Sequence, residues 1–201
     1  MTTFTILTVC TGNIARSPLA AQLLRFESND LPSIRVHSAG TGALVGAPMM
    51  PQSKAIATRL GVPATEEHVA RQITERHVLE ADLVLAMSRE HRRSSVELTP
   101  RALRKAFTVR EFARLANELP PGALAVSEPM LTDDVGDRLR AAVEAVASMR
   151  GALPPLDDPR DDDVIDPYRQ SDAVYEQSAA QLTPAVRAVS ALLHRAAFGT
   201  A

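Results

Sequence analysis

The sequence predicts an α/β fold of three layers, helices on both faces of a four-stranded parallel sheet, and three observations predict it. Four short apolar or β-branched runs recur along the chain. Segments of helical period lie between them. The length of 201 residues, with 45% hydrophobic and 23% charged residues, suits one domain (1–201) with a substantial core and neither a disordered nor a fibrous chain. Strands that alternate with helices return through right-handed crossovers into a parallel sheet buried on both faces.

The first run, Phe4 to Val9, is FTILTV, and it stops at CTGN before an alanine- and leucine-rich segment. That segment predicts a helix starting near Arg16 or Ser17, with Pro18 in its first turn and Leu19, Leu23 and Phe26 on one face. Ile34 to Ser38 predicts the second strand, followed by the turn-rich AGTGALVGAP. Ser53 to Leu60 predicts a helix closed by Gly61, Asp82 to Met87 the third strand, and Arg104 to Val109 the fourth. Glu111 to Asn117 reads as a short helix. Val135, Leu139, Val143, Val146 and Met149 keep a helical period over Asp133 to Met149, with Thr132, Asp133 and Asp134 supplying its cap and Gly151 its stop. LPPLDDPRDDDVIDPY then reads as loop, and the last helix, from Ser171 onward, is expected to be kinked or divided by Pro184.

Composition narrows the function. A net charge of -2, with no basic stripe carrying aromatics, argues against a nucleic-acid binder. One cysteine excludes an internal disulfide framework and fits a reducing cytoplasm. No basic, cleavable leader opens the sequence, and no apolar run approaches the roughly 20 residues of a membrane span. His37, His77, His91 and His194 show no metal-ligand spacing, so they read as solvated or capping residues, and no metal is expected. REHRR at Arg89 to Arg93 reads as a charged helix face.

The chemistry concentrates in Cys10 to Ser17. A loop between a parallel strand and the next helix lies at the carboxyl edge of the sheet, where α/β folds place ligands. Its amides and the helix N-terminus present donors and partial positive charge to an anion, and Gly12 and Asn13 suit the left-handed backbone that turns N–H groups inward. In that field the Cys10 thiolate is favoured over the thiol. Arg16 holds two phosphate oxygens in its planar fork, a geometry lysine does not reproduce.

C-T-G-N-I-A-R-S-P at Cys10 to Pro18 resembles the C-x-G-N-x-C-R-S-P signature of the low-molecular-weight protein tyrosine phosphatases. SAGTGALVG at Ser38 to Gly46, HVARQIT at His68 to Thr74 and DPYR at Asp166 to Arg169 resemble later segments of that family, in order and over most of the chain. The resemblance implies a phosphotyrosine hydrolase working through a cysteinyl-phosphate intermediate without a cofactor. It makes Cys10 the nucleophile, Arg16 the phosphate clamp, Asp166 the general acid, and Ser17 a hydroxyl that helps the thiolate leave. Thr11, Gly12, Asn13, Ile14, Ala15, Arg16 and Ser17 would form the phosphate cradle, and Asn13, Ser17, Ser38 and His68 would support its shape. Leu44, Val45 and Tyr168 would line the substrate cleft. The implied partners are tyrosine-phosphorylated proteins, a bacterial tyrosine kinase among them. Nothing in the sequence names the oligomeric state.

Four departures qualify the resemblance. The family's second loop cysteine is Ala15, which leaves no neighbouring thiol to trap an oxidised Cys10. Leu44 and Val45 stand near the family's usual aromatic, as in bacterial phosphatases of exopolysaccharide export. Ile14 accompanies tyrosine specificity, where the related arginine phosphatases carry threonine. The stretch from about 119 to 163 is longer than the family's usual connection, and the six aspartates from Asp157 to Asp166 are expected to disfavour acidic substrates. Two other functions stay in play. An arsenate reductase would need an external low-molecular-weight thiol, and a silent phosphotyrosine-binding or signalling module would have no use for nucleophile, clamp and acid together.

Overall fold

The β-branched run at the N-terminus forms β1 (Phe4–Cys10), the central seam of a parallel sheet whose strand order is β2-β1-β3-β4, with β2 Ile34–Gly40, β3 Leu83–Ala86 and β4 Ala106–Thr108. A computed structural model of the chain describes residues 2–31, 33–63, 67–120, 122–124 and 134–199. The helices are α1 Arg16–Glu27, α2 Pro51–Arg59, α3 Glu75–Glu80, α4 Arg89–Leu98, α5 Val109–Asn117, α6 Val135–Ser148 and α7 Asp172–Phe198.

Strand parity explains the two cores. Along β1 and just past β3, Phe4, Ile6, Leu83, Leu85 and Met87 face α1, α5, α6 and α7, in the larger cluster. Their neighbours Leu7, Val9 and Val84 face the other way, in a smaller cluster with Val78 of α3 and Ala102. Both faces are covered, so the β3 strand is buried at every position, as a parallel sheet requires. In strand order 2-1-3-4 the connections leave in opposite directions between β1 and β3. Cys10 therefore ends β1 at the switch point where such sheets bind ligands.

Three expectations change on the structure, and a fourth is met in part. Pro184 does not divide the last helix, which runs unbroken for 27 residues. Leu182, Thr183, Ala185 and Val186 around it are buried, and tertiary packing outweighs the lost N–H donor. Phe26 is 36% exposed rather than aligned with the buried Leu19 and Leu23, because it lies at the rim near Gly61. The fourth strand shortens to three residues, since Thr108 turns to cap α5 and accepts from Glu111 N at 3.0 Å. Of the cap residues expected before α6, Thr132 and Asp133 lie outside the described residues. Asp134 takes the role, its carboxylate accepting from the backbone N–H groups of Gly136 and Asp137.

The longer stretch after α5 belongs to the core as far as it is described. Leu139, Ala142, Val143 and Val146 of α6 join the main cluster beside α7. Polar ties fix its ends: Asp134 accepts from Thr2 N at 2.8 Å, and Arg140 binds Asp82 at 2.8 Å. The Thr2 hydroxyl also donates to Asp134 and holds its carboxyl well below the usual carboxylate range. Beyond α6, Arg150 stacks 3.7 Å over the Phe107 ring and pairs with Glu111 at 2.9 Å. Leu139→Ala is expected to cost roughly 2–5 kcal/mol by chemical denaturation, because a fully buried leucine leaves a cavity that two packed helices do not close.

Candidate active site

Five consecutive carbonyls shape the loop after β1. The oxygens of Cys10, Thr11, Gly12 and Ile14 accept from the backbone N–H groups of Thr41, Gly42, Leu44 and Met50 at 2.9, 3.1, 3.0 and 2.7 Å. The oxygen of Asn13 accepts from His68 Nε2 at 2.6 Å. A planar peptide that turns its carbonyl out toward these partners turns its N–H in, so the loop's donors converge on its own centre. Asn13 supplies the left-handed residue this curvature requires, with φ of 55°. The α1 helix adds its N-terminus: Ala15 caps it with no side-chain bond, and its first turn carries no acidic residue, so no side chain competes for the donors.

The Asn13 amide has one readable orientation. Arg71 N donates to its Oδ1 at 2.9 Å, which leaves Nδ2 to donate to Ser17 Oγ at 2.9 Å. Ser17 Oγ lies 3.0 Å from Cys10 Sγ and 3.5 Å from the Ala39 carbonyl. With the Asn13 donor fixed, the hydroxyl hydrogen serves the nearer sulfur, and a thiolate there gains a hydrogen bond. Cys10 itself is buried, so only a group seated in the cradle reaches it.

Arg16 is 5% exposed and is held in place by the loop that carries Asp166. Its Nη1 donates to the Val164 carbonyl at 3.1 Å, and its Nη2 lies 2.6 Å from Asp166 Oδ2. The Val164 N–H in turn donates to the Met87 carbonyl at 2.8 Å, while Met87 N donates to the Val9 carbonyl at 2.8 Å, so the loop carrying Asp166 docks on the continuation of β3. Asp163 accepts from Arg89 N at 2.7 Å, and Asp162 pairs with Arg114 at 2.8 Å. These two carboxylates anchor the loop and are not free charges facing a substrate, which corrects the role expected for them.

The other expected residues fall around this centre. His68 donates to the Asn13 carbonyl through Nε2. Burial lowers its pKa, with the nearby cations Arg25, Arg71 and Lys54 adding to the effect, and it stays a neutral donor. Ser38 contributes through its carbonyl, which accepts from Arg71 Nε at 2.8 Å. Leu44 and Val45 are exposed on the loop whose amide holds Gly12, and Tyr168 is exposed two residues past Asp166 and donates its N–H back to Asp166 Oδ1 at 3.1 Å.

His91 is buried, not solvated. Its ring bridges Thr11 Oγ1 at 2.8 Å and Ser88 Oγ at 2.7 Å, and burial, with Arg16 adding to it, lowers its pKa to about 4. The REHRR segment therefore fans around its helix: Arg89 goes to Asp163, His91 inward to the loop, and Arg92 to the Ala106 carbonyl at 2.8 Å. Sequence reasoning also missed Arg71, Gln72 and Gly40. Gln72 braces the turn after β2, accepting from Ala43 N at 2.9 Å and donating to the Thr41 carbonyl at 3.0 Å. All of them sit in segments already singled out, and the serine three residues before His91 was the one local signal of a cap.

Gly40 tests the cradle without touching its chemistry. A Cβ there would lie 2.2 Å from the Thr11 carbonyl oxygen and 3.0 Å from Asn13 N. Gly40→Ala is expected to push the loop out of shape, cutting turnover of an aryl phosphate by at least about tenfold, roughly 1.4 kcal/mol in barrier, while the circular dichroism of the fold is retained. Unchanged turnover would mean the close approach is not needed.

Comparison with known proteins agrees with this geometry. The model of the family described as low molecular weight phosphotyrosine protein phosphatase matches residues 5–153. A protein-arginine-phosphatase of Geobacillus stearothermophilus is 39% identical over 109 residues, covering 54% of this chain and 71% of that protein. The low molecular weight protein-tyrosine-phosphatase Wzb of Salmonella typhi is 43% identical over 96 residues, covering 47% of this chain and 61% of that protein. The solved YwlE arginine phosphatase from Geobacillus stearothermophilus superimposes with a TM-score of 0.65 at 27% identity, over 95% of this chain and 93% of that one. Asp166 lies beyond the matched residues, so its place in the site rests on its 2.6 Å contact with Arg16. With the Cys10-to-Ser17 loop inside the matched residues, the chain belongs to the low molecular weight phosphotyrosine protein phosphatase family.

Proposed function

We propose that this protein hydrolyses phosphotyrosine in proteins through a cysteinyl-phosphate intermediate, with Cys10, Arg16 and Asp166 as catalytic residues. The observation that carries this reading is the run of five outward carbonyls around a buried sulfur, which leaves the inward amides to take a phosphate. The phosphate's oxygens bind those amides and the Arg16 fork. Sγ attacks phosphorus in line, and charge on the equatorial oxygens meets donors already in place. A bound dianion takes the guanidinium as its partner and disfavours a second negative charge beside it, which leaves Asp166 as the acid that protonates the departing phenolate. Asp166 then takes a proton from water as it attacks the phosphorus, the S–P bond breaks, and the Ser17 hydroxyl hydrogen-bonds the returning thiolate.

Tyrosine is favoured over arginine by Ile14, a buried apolar side chain in the cradle, and by the exposed Leu44, Val45 and Tyr168 near its mouth. The substrates are tyrosine-phosphorylated proteins, a bacterial tyrosine kinase among them, by analogy with the tyrosine phosphatases named above. An arsenate reductase is disfavoured, since the single cysteine offers no internal relay and the site carries an acid suited to a leaving oxygen. A silent binding module is disfavoured by the joint presence of nucleophile, clamp and acid.

Cys10→Ser is expected to abolish turnover of both phosphotyrosine peptide and aryl phosphate in steady-state assays. Asp166→Asn should slow a phosphotyrosine peptide by about 10²–10⁴-fold and an activated aryl phosphate far less. Equal losses on the two substrates would remove Asp166 from the acid's role. Ile14→Thr is expected to raise phosphoarginine turnover relative to phosphotyrosine in a paired assay, and an unchanged ratio would place specificity elsewhere.

A further inference from the structure

A second basic cleft lies on the α3 side of the sheet, away from the end of β1 that carries Cys10. Strand β2 is the edge of the sheet, and α3, with six residues, packs Val78 into the smaller core without covering the outer flank. The opening has a volume of about 540 Å³, within the range of small-molecule sites. Thr5 and Leu7 of β1 pair in register with Arg35 and His37 of β2 to form its floor, while Arg76, His77 and Glu80 of α3 form a wall. Arg71 closes the side nearest the catalytic loop.

The charge of this cleft is unbalanced. Three guanidiniums face one carboxylate, and that carboxylate, Glu80, is committed to Arg76 at 2.6 Å. Among the described residues neither Arg35 nor Arg71 forms an ion pair, and Arg71 uses only Nε of its side chain, on the Ser38 carbonyl. Arg71 is half-buried, and a guanidinium so placed without a counter-charge is favourable beside an anion, while Arg35 and Arg76 are exposed at the rim. The bases come from three separate segments, β2, α3 and the stretch before α3, which suits a ligand carrying more than one anionic group.

We propose that this cleft binds a small polyanion of the pyrophosphate class, inorganic or as the diphosphate of a nucleotide, and that its occupancy is transmitted to the catalytic loop through Arg71. The route is short. The Arg71 side chain lines the cleft, its N–H holds Asn13 Oδ1 at 2.9 Å, and its carbonyl accepts from Gly40 N at 3.0 Å. A diphosphate that draws the guanidinium toward the cleft shifts the amide that fixes the left-handed residue of the cradle.

The two histidines give the site a pH signature. Burial lowers the pKa of His37, and the cations Arg71, Arg25 and Arg35, with His77, add to it. Burial and Arg71 lower that of His77, with Arg76 adding and Glu80 opposing. A bound polyanion offsets those cations and raises both values, so binding takes up protons and tightens as pH falls through the histidine range.

Two readouts on the full chain test the site. In nuclear magnetic resonance, pyrophosphate should shift the ring signals of His37 and His77 and raise their titration midpoints, whether or not the protein turns over any substrate. In steady-state assays with an aryl phosphate, pyrophosphate should change kcat at saturating substrate. The concentration giving half that effect should rise at least tenfold in Arg35→Ala/His37→Ala, and in Arg76→Ala as an independent variant, while competitive inhibition by orthophosphate stays the same. Adenosine diphosphate acting at lower concentration than pyrophosphate identifies a nucleotide, and equal action identifies the inorganic anion. Purely competitive inhibition, equal in native protein and variants, with unmoved histidine signals, overturns the proposal.

Discussion

The arrangement turns on one side-chain amide. Asn13 sits in the left-handed region, where a residue with a Cβ pays a steric cost, and both ends of its amide are committed: Arg71 N to Oδ1 and Nδ2 to Ser17 Oγ. Those two bonds hold the strained residue and align the hydroxyl that faces Cys10. Because Asn13 is buried, neither bond competes with water, and each is worth more than at a surface. The outward carbonyls on either side depend on the same curvature. An aspartate at this position would offer two acceptors and no donor, and Ser17 Oγ would then have to donate to it and leave the sulfur without a partner.

Asp166 reaches the site by a different route, and the contrast explains the charge pattern. The cradle is built locally, between residues 10 and 17, whereas Asp166 arrives from far along the chain on a loop with no regular structure beyond one 3₁₀ turn. Such a loop needs external fixing. It has a backbone bond to Met87, two carboxylates on Arg89 and Arg114, the Arg110 side chain on the Asp163 carbonyl at 2.8 Å, and the Gln181 side chain on Ile165 N at 2.9 Å. The Arg16–Asp166 pair closes the circuit, with Arg16 6% and Asp166 50% exposed at the side chain. Since one partner is half in water, the carboxylate can leave the guanidinium at modest cost when a phosphate takes its place.

What the sequence disclosed follows the range of the interactions. Strands, the start of α1 and the cysteine loop are local and were legible, because β-branched runs, Pro18 and the Cys10-to-Ser17 spacing each express short-range physics. The partners of the loop were not. His91 looked like one more histidine in a charged helix, and only the fold brings Thr11 within 2.8 Å of it. Asp162 and Asp163 read as free negative charge until Arg114 and Arg89 appeared beside them. Pro184 carried a strong local expectation of a break, and burial on both sides of it prevailed. In each case the missing information was a contact between residues distant in sequence.

Specificity is the point at which similarity of fold stops deciding. The relatives include an arginine phosphatase at 39% identity and a tyrosine phosphatase at 43%, each over about half of this chain, so the shared scaffold supports both. The chemistry explains why. In the proposed mechanism, transfer of the phosphoryl group to sulfur, its stabilisation by inward amides and the Arg16 fork, and its release to water are indifferent to what the phosphorus was attached to. The leaving group is a phenol in one case and a guanidine in the other, one a flat apolar ring and the other a polar cation. Only residues that meet that group can separate the two, and a pocket that places apolar surface there leaves the guanidine's N–H donors without partners. The proposed preference for tyrosine assigns that contact to four side chains, the buried Ile14 and the exposed Leu44, Val45 and Tyr168.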